Sequence, residues 1–311
     1  MLLIIIITGT TMMMGTISNR QDFLVRQQAE LLNQMQLAKE ALLAYAANSS
    51  AIYGDTRGPG FFPCPDIVNT NSADPVAGRA NSSCDGGLIN LGRLPEYIDT
   101  PTPKFFFNSY YAKTDQQFWY AIAPGFVYDA VNPGNSRAEN RTSISASRLN
   151  LDGTGNIVAV IIAPGDALSF QNRSAAPLSS SNYLEGENGD NDADFATSDV
   201  TNPVGFNDLI LTITHDELIT YIESSAAVKM KGWLDADFAV QLQYPANQAD
   251  FADVLASHPW LNAGNIEQWT MDTIYTSLSP TQAAIQFNGC PGILFTLEPN
   301  VPISRDGDSC I

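Results

Sequence analysis

In this 311-residue chain, the acidic run at residues 185–194 has the spacing most similar to that of a metal-binding loop. The run reads EGENGDNDAD, with acids at alternate positions, Asp190, Asp192 and Asp194. Carboxylate oxygens at alternate positions can converge on one ion, as they do at the start of a calcium loop. Phe195 replaces the glycine that such a loop needs, and Thr201 replaces its bidentate glutamate. Two interpretations stay open, a calcium site and a solvated acidic loop.

Motifs of enzyme active sites are missing from the sequence. It contains no G-x-S-x-G, P-loop, H-E-x-x-H or G-x-G-x-x-G pattern. A Ser-His-Asp or Cys-His site would need one of only two histidines. His215 falls in a helix-start turn, and His258 precedes a Pro-Trp pair. We predict a protein that is not an enzyme and has no cofactor, with calcium as the one exception left open.

The four cysteines form two pairs of equal spacing, Cys64 with Cys84 and Cys290 with Cys310. An even count favours disulfides in an exported protein, and pairing of neighbours is the simplest of three connectivities. Each bridge would close a loop of about 20 residues and stabilise the fold by roughly 3 kcal/mol. Zinc is the alternative, but the chain has no C-x-x-C and neither histidine is near a cysteine in sequence.

The elements that must position these residues are mostly strands. Strand patterns occur at residues 117–122, 157–162 and 209–214. Ahead of the second pattern, the stretch DGTGN at 152–156 predicts a hairpin turn. No repeat with a period of 20–50 residues is visible, which argues against solenoids and propellers.

Two helix starts are predicted among the strands. Thr214 and Glu217 form a capping box, which predicts a helix through about Val228. The stretch SPTQ at 279–282 has a similar form with proline at the first helical position, and it predicts a short helix that ends at the Asn-Gly pair 288–289.

The negative charge is concentrated beyond residue 48. The chain holds 15 basic and 33 acidic residues, for a net charge of −18. Residues 1–48 contain three of each sign, so residues 49–311 carry 12 bases against 30 acids. Such a surface repels phosphate backbones, and we therefore expect no nucleic-acid binding.

The first 48 residues predict one long helix. No side chain from Met1 to Ser18 is charged, and residues 20–47 contain neither proline nor glycine. The second half has an apolar stripe on one face, at Leu24, Leu31, Met35, Ala38, Leu42 and Tyr45. The helix would be about 70 Å long, and its uncharged part, about 27 Å, would cross a bilayer core. We predict a stalk whose stripe packs on the head and whose first part contacts lipid or other copies of the chain.

Two other interpretations of this segment are open. A secretory signal peptide would need a basic flank before the apolar run and a small-residue cleavage site after it, and the sequence has neither. A simple membrane anchor is compatible with the run, and Arg20 then stands where a cytoplasm-facing flank requires a base. The missing basic flank also suggests that a short leader precedes Met1.

Several segments resemble type IV pilin-like, prepilin-type filament subunits with large heads. They occur in the same order as AKEALLAYAA (38–47), FPCPD (62–66), GRLP (92–95), FWY (118–120), AVIIAPG (159–165), LEGEN (184–188), and FND (206–208) followed by THDEL (214–218). The resemblance covers residues 1 to about 230. Beyond it, only the C-terminal cysteine pair looks like the disulfide-bounded loop of pilins.

The resemblance implies a subunit whose leader is removed by a prepilin peptidase. Its apolar helix would reside in the inner membrane and then enter the core of an extracellular filament on the cell surface. The core residues implied at the start of that helix are Met1, Leu2, Leu3, Ile4, Ile5, Ile6 and Ile7. The implied partners are other copies of this chain or other pilins.

Ile5 departs from the pilin pattern, which has glutamate at mature position 5 to neutralise a neighbour's terminal amine. An unpaired amine in an apolar core is costly. The departure favours a minor subunit, or a filament in which Thr8, Thr10 or backbone carbonyls replace the glutamate.

The sequence as a whole predicts an α+β protein with a long N-terminal helix packed on a β-rich head that has a few short helices. The stalk is expected at 1–48 and the acidic head at 49–311, with a subdivision near residue 231. The expected function is that of a structural subunit of a type IV pilus-like filament. The alternatives are a minor pilin or pseudopilin of a pilus or type II secretion system, and a membrane-anchored periplasmic binding or adaptor protein.

Overall fold

The structure is a computed structural model with an α+β fold. It describes residues 26–49, 59–66, 78–81, 84–98, 105–107, 109–111, 113–128, 148–174, 179–197, 205–256 and 273–307. The described helices are α1 (26–49), α2 (His215–Gln241) and α3 (Gln248–Leu255). Residues 1–25 lie outside the description, so the predicted stalk is described only from Arg26 onward.

Fourteen strands are described. They are β1 (Asn90–Arg93), β2 (Tyr97–Ile98), β3 (Phe105–Phe106), β4 (Tyr110–Tyr111), β5 (Lys113–Gln117), β6 (Trp119–Ile122), β7 (Leu149–Leu151), β8 (Thr154–Ala163), β9 (Asp194–Phe195), β10 (Leu209–Thr214), β11 (Thr273–Ser279), β12 (Gln282–Phe287), β13 (Leu294–Leu297) and β14 (Ser304–Asp306). The strands β2 with β3 and β4 with β5 form two small hairpins. The others form two larger sheets.

The larger sheet is built around β8, its longest strand. Its order is β1-β6-β8-β7-β9, and β10 also pairs with β8. All pairs are antiparallel except β7 with β9. From Ile157 to Ala163 every residue of β8 is buried, because strands flank it and the core covers it. The predicted strands at 157–162 and 209–214 are confirmed, and the strand predicted at 117–122 is divided at Phe118 between β5 and β6.

The hairpin predicted ahead of β8 is also confirmed. Asp152 and Gly153 both have positive φ, 51° and 76°, and they connect Leu151 to its register partner Thr154. A two-residue turn with both φ values positive suits the twist of antiparallel strands, which is why Asp-Gly is favoured there.

The helix α2 begins as predicted and extends further than predicted. Thr214 accepts a hydrogen bond from the Glu217 backbone, and the Glu217 side chain accepts one from the Thr214 backbone, which completes the capping box. The helix ends at Gln241 rather than near Val228, where Leu242 adopts a left-handed φ of 60°. The reason is packing, since Met230 and Leu234 continue the buried face of the helix past Val228.

The short helix predicted from Ser279 is wrong, because Pro280 and Thr281 form the turn between β11 and β12. Serine followed by proline suits either a helix start or a two-residue turn. The strands on both sides decide between them: β12 buries Ala283, Ala284, Ile285 and Phe287 against the core.

The second sheet has the order β11-β12-β13-β14. Helix α3 packs on β11, and α2 contacts α3 as well as β8 and β10. Helix α2 therefore connects the two sheets and runs without a break through residue 231. One hydrophobic core includes residues of α1, both larger sheets and both other helices. The division of the head near residue 231 stays a prediction.

Candidate functional site

The acidic run lies on a short 3-10 helix and the loop that follows it. The helix is Gly186–Gly189, and the loop leads into β9. The structure brings one carboxylate oxygen each of Glu187, Asp190 and Asp192 to within 4.8 Å of one another, and all three residues are exposed. Two of the three acids predicted as calcium ligands are therefore neighbours. Glu187 joins them because the tight helix turns the chain back on itself.

Asp194 is not in that group. Its Oδ1 accepts a hydrogen bond from Asn150 Nδ2 at 2.9 Å, where β9 runs beside β7. Asp192 instead orders the loop, since its Oδ1 accepts from the Asp194 backbone at 2.7 Å. The prediction of calcium at Asp190, Asp192 and Asp194 stays a prediction.

Charge repulsion acts within the acidic group. Partial burial, followed by the charge of Asp192, raises the pKa of Asp190 above its usual value of 3.8. A raised pKa means that ionisation of the carboxyl is less favourable than it is in water. Both causes disfavour the charged form of Asp190, and burial is the larger.

A different pair of acids, Glu185 and Asp208, lies buried beneath this loop. They are 2% and 7% exposed. Each accepts a hydrogen bond from the backbone of the other: Glu185 N–H donates to Asp208 Oδ2 and Asp208 N–H donates to Glu185 Oε2, both at 3.0 Å. This reciprocal pair joins the segment that enters the 3-10 helix to the segment that enters β10.

Amide side chains complete the environment of the pair. Gln171 Nε2 donates to Glu185 Oε1 at 2.7 Å, and Asn188 Nδ2 donates to Asp208 Oδ2 at 3.0 Å. The guanidinium of Arg173 is connected to the pair only through Gln171. It donates to Gln171 Oε1 and to the carbonyls of Gly165 and Tyr183. Burial is the largest effect on Asp208 and raises its pKa to about 8.

The sequence contained one signal for this pair. Glu185 and Asn188 lie in LEGEN, and Asp208 ends FND, two segments that carry the resemblance to prepilin-type subunits. Neither spacing nor composition shows that acids 23 residues apart meet in the core. Only the path of the chain around β8 brings them together.

Helix α1 changes from exposed to buried within about two turns. Every residue from Arg26 to Asn33 is exposed except the half-buried Leu31. Met35, Ala38, Leu42 and Tyr45 are then at most 2% exposed, which confirms that this part of the predicted stripe packs on the head; Leu24 lies outside the described residues. The N-terminal end of the described helix therefore extends away from the head.

The implied assembly residues, Met1 to Ile7, lie outside the described part of the chain. Among the described residues, no helix combines the length and apolar character needed to cross a membrane. The uncharged run that suggested a membrane helix, Met1 to Ser18, lies entirely before the first described residue, so that finding does not apply to it.

The first predicted disulfide is present. Cys64 and Cys84 are bonded, with their Cα atoms 5.8 Å apart and both residues 8% exposed. Cys290 is also disulfide-bonded, and the partner that the sequence predicts for it, Cys310, lies outside the described residues. The Cys64–Cys84 bridge joins the strip containing Pro63 and Pro65 to the loop that precedes β1.

His215 occupies the helix-start position that the sequence predicts. It is the first residue of α2 and is 6% exposed, with its ring 6.5 Å from that of Phe126. His258 lies outside the described residues.

In comparisons with known proteins, no family model, no curated protein and no solved structure matches this chain at a significant level. The resemblance to prepilin-type subunits therefore stays a prediction from the segments quoted above.

Proposed function

We propose that this protein is a structural subunit of a type IV pilus-like filament, and that it assembles through its N-terminal helix. The observation that carries the proposal is that α1 is exposed from Arg26 to Asn33, apart from the half-buried Leu31, and that one face of it is buried from Met35 onward. A helix that leaves the head with mostly polar, exposed side chains around it is a connector. The uncharged run Met1–Ser18 precedes it in the sequence and is the segment that the connector would link to the head.

The attachment of α1 suits a helix that transmits force to its head. Tyr45 packs against the rings of Phe105 and Phe107 at 5.4 and 5.7 Å. The carbonyl of Ala46 accepts a hydrogen bond from the Gly60 backbone at 2.7 Å. The last turns of the helix are thus held by aromatic packing and by backbone bonding.

The acidic head supports the same proposal. Packed filament heads carry their charge at high local concentration, and a strong single sign keeps them solvated. The head would form the outer coat, and the apolar helices would form the core.

The experiment that tests this proposal is electron microscopy of material sheared from cells that express the native protein. We expect uniform filaments with an axial bundle of helices. Substitution of Leu3 or Ile6 with aspartate places a charge in that bundle and should abolish the filaments while the head stays folded. Leu278→Asp is the matched control, because it adds the same charge at a site that is 52% exposed on the head.

Each other outcome selects an alternative. Filaments of a different subunit with this chain at one end would indicate a minor pilin or pseudopilin. Retention in the membrane without filaments would indicate an anchored binding or adaptor protein. Filaments that persist in Leu3→Asp would exclude the N-terminal segment as the core.

A further inference from the structure

The buried carboxylates of Glu185 and Asp208 accept hydrogen bonds unequally. Both oxygens of Glu185 are occupied: Oε1 accepts from Gln171, and Oε2 accepts from the backbones of Asn207 and Asp208. Oδ2 of Asp208 accepts from Glu185 N and from Asn188. Oδ1 of Asp208 is buried and has no hydrogen-bond partner among the described residues.

An unpartnered carboxylate oxygen in the interior is costly if the group is ionised. The cost disappears if that oxygen carries a proton, because a neutral carboxyl donates one hydrogen bond and still accepts others. Two carboxylates that share a buried site favour this state, because ionising both would place two negative charges close together in the interior.

We propose that Asp208 is protonated at neutral pH and donates that proton to Glu185, so that one buried proton holds three surface segments of the head together. The segments are the loop after β8 through Gln171, the run that contains Glu185 and Asn188, and the strip at residues 205–208 that leads into β10. Loss of the proton places two negative charges at the point where these segments meet.

The nearby charged groups do not stabilise an ionised Asp208. Arg173 bonds Gly165, Gln171 and Tyr183 rather than either carboxylate of the pair. Glu187 on the 3-10 helix is exposed, and Asp166 reaches the site only through its backbone carbonyl, which accepts from Asn207 at 2.9 Å. Burial, followed by the charge of Glu185 and a side-chain hydrogen bond with it, raises the pKa of Asp208, and these effects outweigh the hydrogen bonds from the Glu185 backbone and Asn188, which lower it.

The consequence for stability has a definite sign. The folded state keeps a proton that the unfolded chain releases near its usual pKa of 3.8, and it loses that proton at a pKa of about 8. The stabilisation is therefore complete in acid, decreases as pH rises between these values, and is lost above the higher one. The fold-change in the unfolding equilibrium is up to about tenfold per pH unit within this window.

The first experiment looks for the proton directly in the purified full-length chain in detergent. Infrared spectra at pH 7 are compared for the wild type, Asp208→Asn and Glu185→Gln. We expect a carboxylic-acid C=O band in the wild type that Asp208→Asn removes together with the carboxyl. In Glu185→Gln the negative neighbour is lost but Asp208 stays buried, so its band should shift rather than disappear. Absence of the band from the wild type at pH 7 overturns the proposal, whether or not either variant folds.

The second experiment measures unfolding against pH. In Asp208→Asn the new amide keeps an acceptor for Glu185 N and Asn188 and supplies a donor toward Glu185, so the segments stay joined without a titrating proton. We expect the unfolding constant of the wild type, relative to Asp208→Asn, to rise up to about tenfold per pH unit between about pH 5 and 7. Parallel profiles overturn the proposal. Asp192→Asn, on the exposed loop, is the control and should keep the wild-type slope.

A bound cation is the alternative that the same variants exclude. Calcium chloride is added to the wild type at pH 7, and the unfolding midpoint is measured. An unchanged midpoint supports a proton, rather than a calcium ion, between the two acids. A calcium-dependent rise in the midpoint that Asp208→Asn abolishes overturns the proposal and assigns the buried pair to calcium.

Discussion

Lys39 on α1 and Glu217 on α2 form an ion pair across 178 positions of sequence, with Nζ 2.5 Å from Oε1. Lys39 Nζ also donates to the carbonyl of Thr212 at 2.8 Å. Thr212 lies in β10, which pairs with β8 in the large sheet, and Glu217 belongs to the capping box of α2. One buried ammonium therefore attaches the N-terminal helix to a sheet and to a second helix.

We expect Lys39→Met to lower the free energy of unfolding by about 1–2 kcal/mol. Methionine keeps the volume of the buried stem and removes both hydrogen bonds. The loss is limited because the Glu217 side chain is 43% exposed, and water therefore replaces part of the interaction. Chemical denaturation measures the change. Arg26→Met, at an exposed position of the same helix, should have almost no effect. Equal losses in the two variants would contradict the role given to Lys39.

The same pair has a predicted pH dependence. Burial opposes ionisation of Glu217, but hydrogen bonds from Lys39 and Thr214 outweigh it and lower its pKa from the usual 4.5. The stabilisation is therefore present above pH 4.5 and lost as pH falls below it. We expect the difference between wild type and Lys39→Met to be full at neutral pH and to shrink as pH falls below 4.5. A difference that stays constant would show that the charge of Glu217 contributes nothing to the effect of Lys39, and that the Thr212 bond and packing account for it.

Removal of the Cys64–Cys84 bridge should destabilise the head. The bridge spans 20 positions, and in the chain-entropy model closing such a loop is worth about 3 kcal/mol. The double variant Cys64→Ala/Cys84→Ala should lose about this much in urea denaturation, with no change in the folded spectrum. Each single alanine variant should lose a similar amount. Retention of wild-type stability by the double variant would refute a stabilising role.

Gln248 covers part of the free side of β11, an edge strand of the second sheet. Its Oε1 accepts from Tyr275 N at 2.7 Å, and its Nε2 donates to the Thr273 carbonyl at 2.9 Å, so one amide side chain replaces a neighbouring strand. We expect Gln248→Leu to cost about 1–3 kcal/mol, because both backbone groups lose a partner. Thermal unfolding measures the loss. Gln241→Leu, at the exposed end of α2, is the matched control and should stay near wild-type stability.

Asp192→Asn tests the two interpretations of the acidic run. Asparagine keeps the oxygen that accepts from the Asp194 backbone, so the loop geometry is preserved. If the run is a solvated acidic loop, the variant should be more stable by a few tenths of a kcal/mol, because the repulsion between Asp190 and residue 192 is relieved. Calcium should not change the unfolding temperature of either form. A calcium-dependent increase that the variant loses would instead establish a metal site.

Local sequence determined the elements whose signals depend on short spacing. The strand β10, the capping box at Thr214 and the Asp152-Gly153 turn are each recognised from a few adjacent residues, and each is present in the structure. The Ser279-Pro280 stretch failed because its local chemistry suits a turn as well as a helix start. Its hairpin is decided by pairing of β11 with β12, a contact between strands.

The candidate sites divide along the same line. The run that contains Asp190 and Asp192 was visible from the order of its residues. That Asp194 bonds Asn150 instead of joining the acidic group depends on the pairing of β7 with β9. The reciprocal bonding of Glu185 and Asp208 required two segments 23 positions apart, one entering the 3-10 helix and one entering β10, to meet. No single-sequence pattern measures such distances, because burial of a polar group depends on what surrounds it.

By itself, the amino-acid sequence determined an acidic α+β protein with an apolar stripe on its N-terminal helix and cysteines spaced for neighbouring disulfides, since charge, periodicity and spacing are properties of the chain alone; the structure decided that Cys64 pairs with Cys84. The tertiary structure decided how far α2 extends, which acids meet, and where Lys39 is held. These outcomes depend on packing and desolvation between segments far apart in sequence, which become defined only when the core closes.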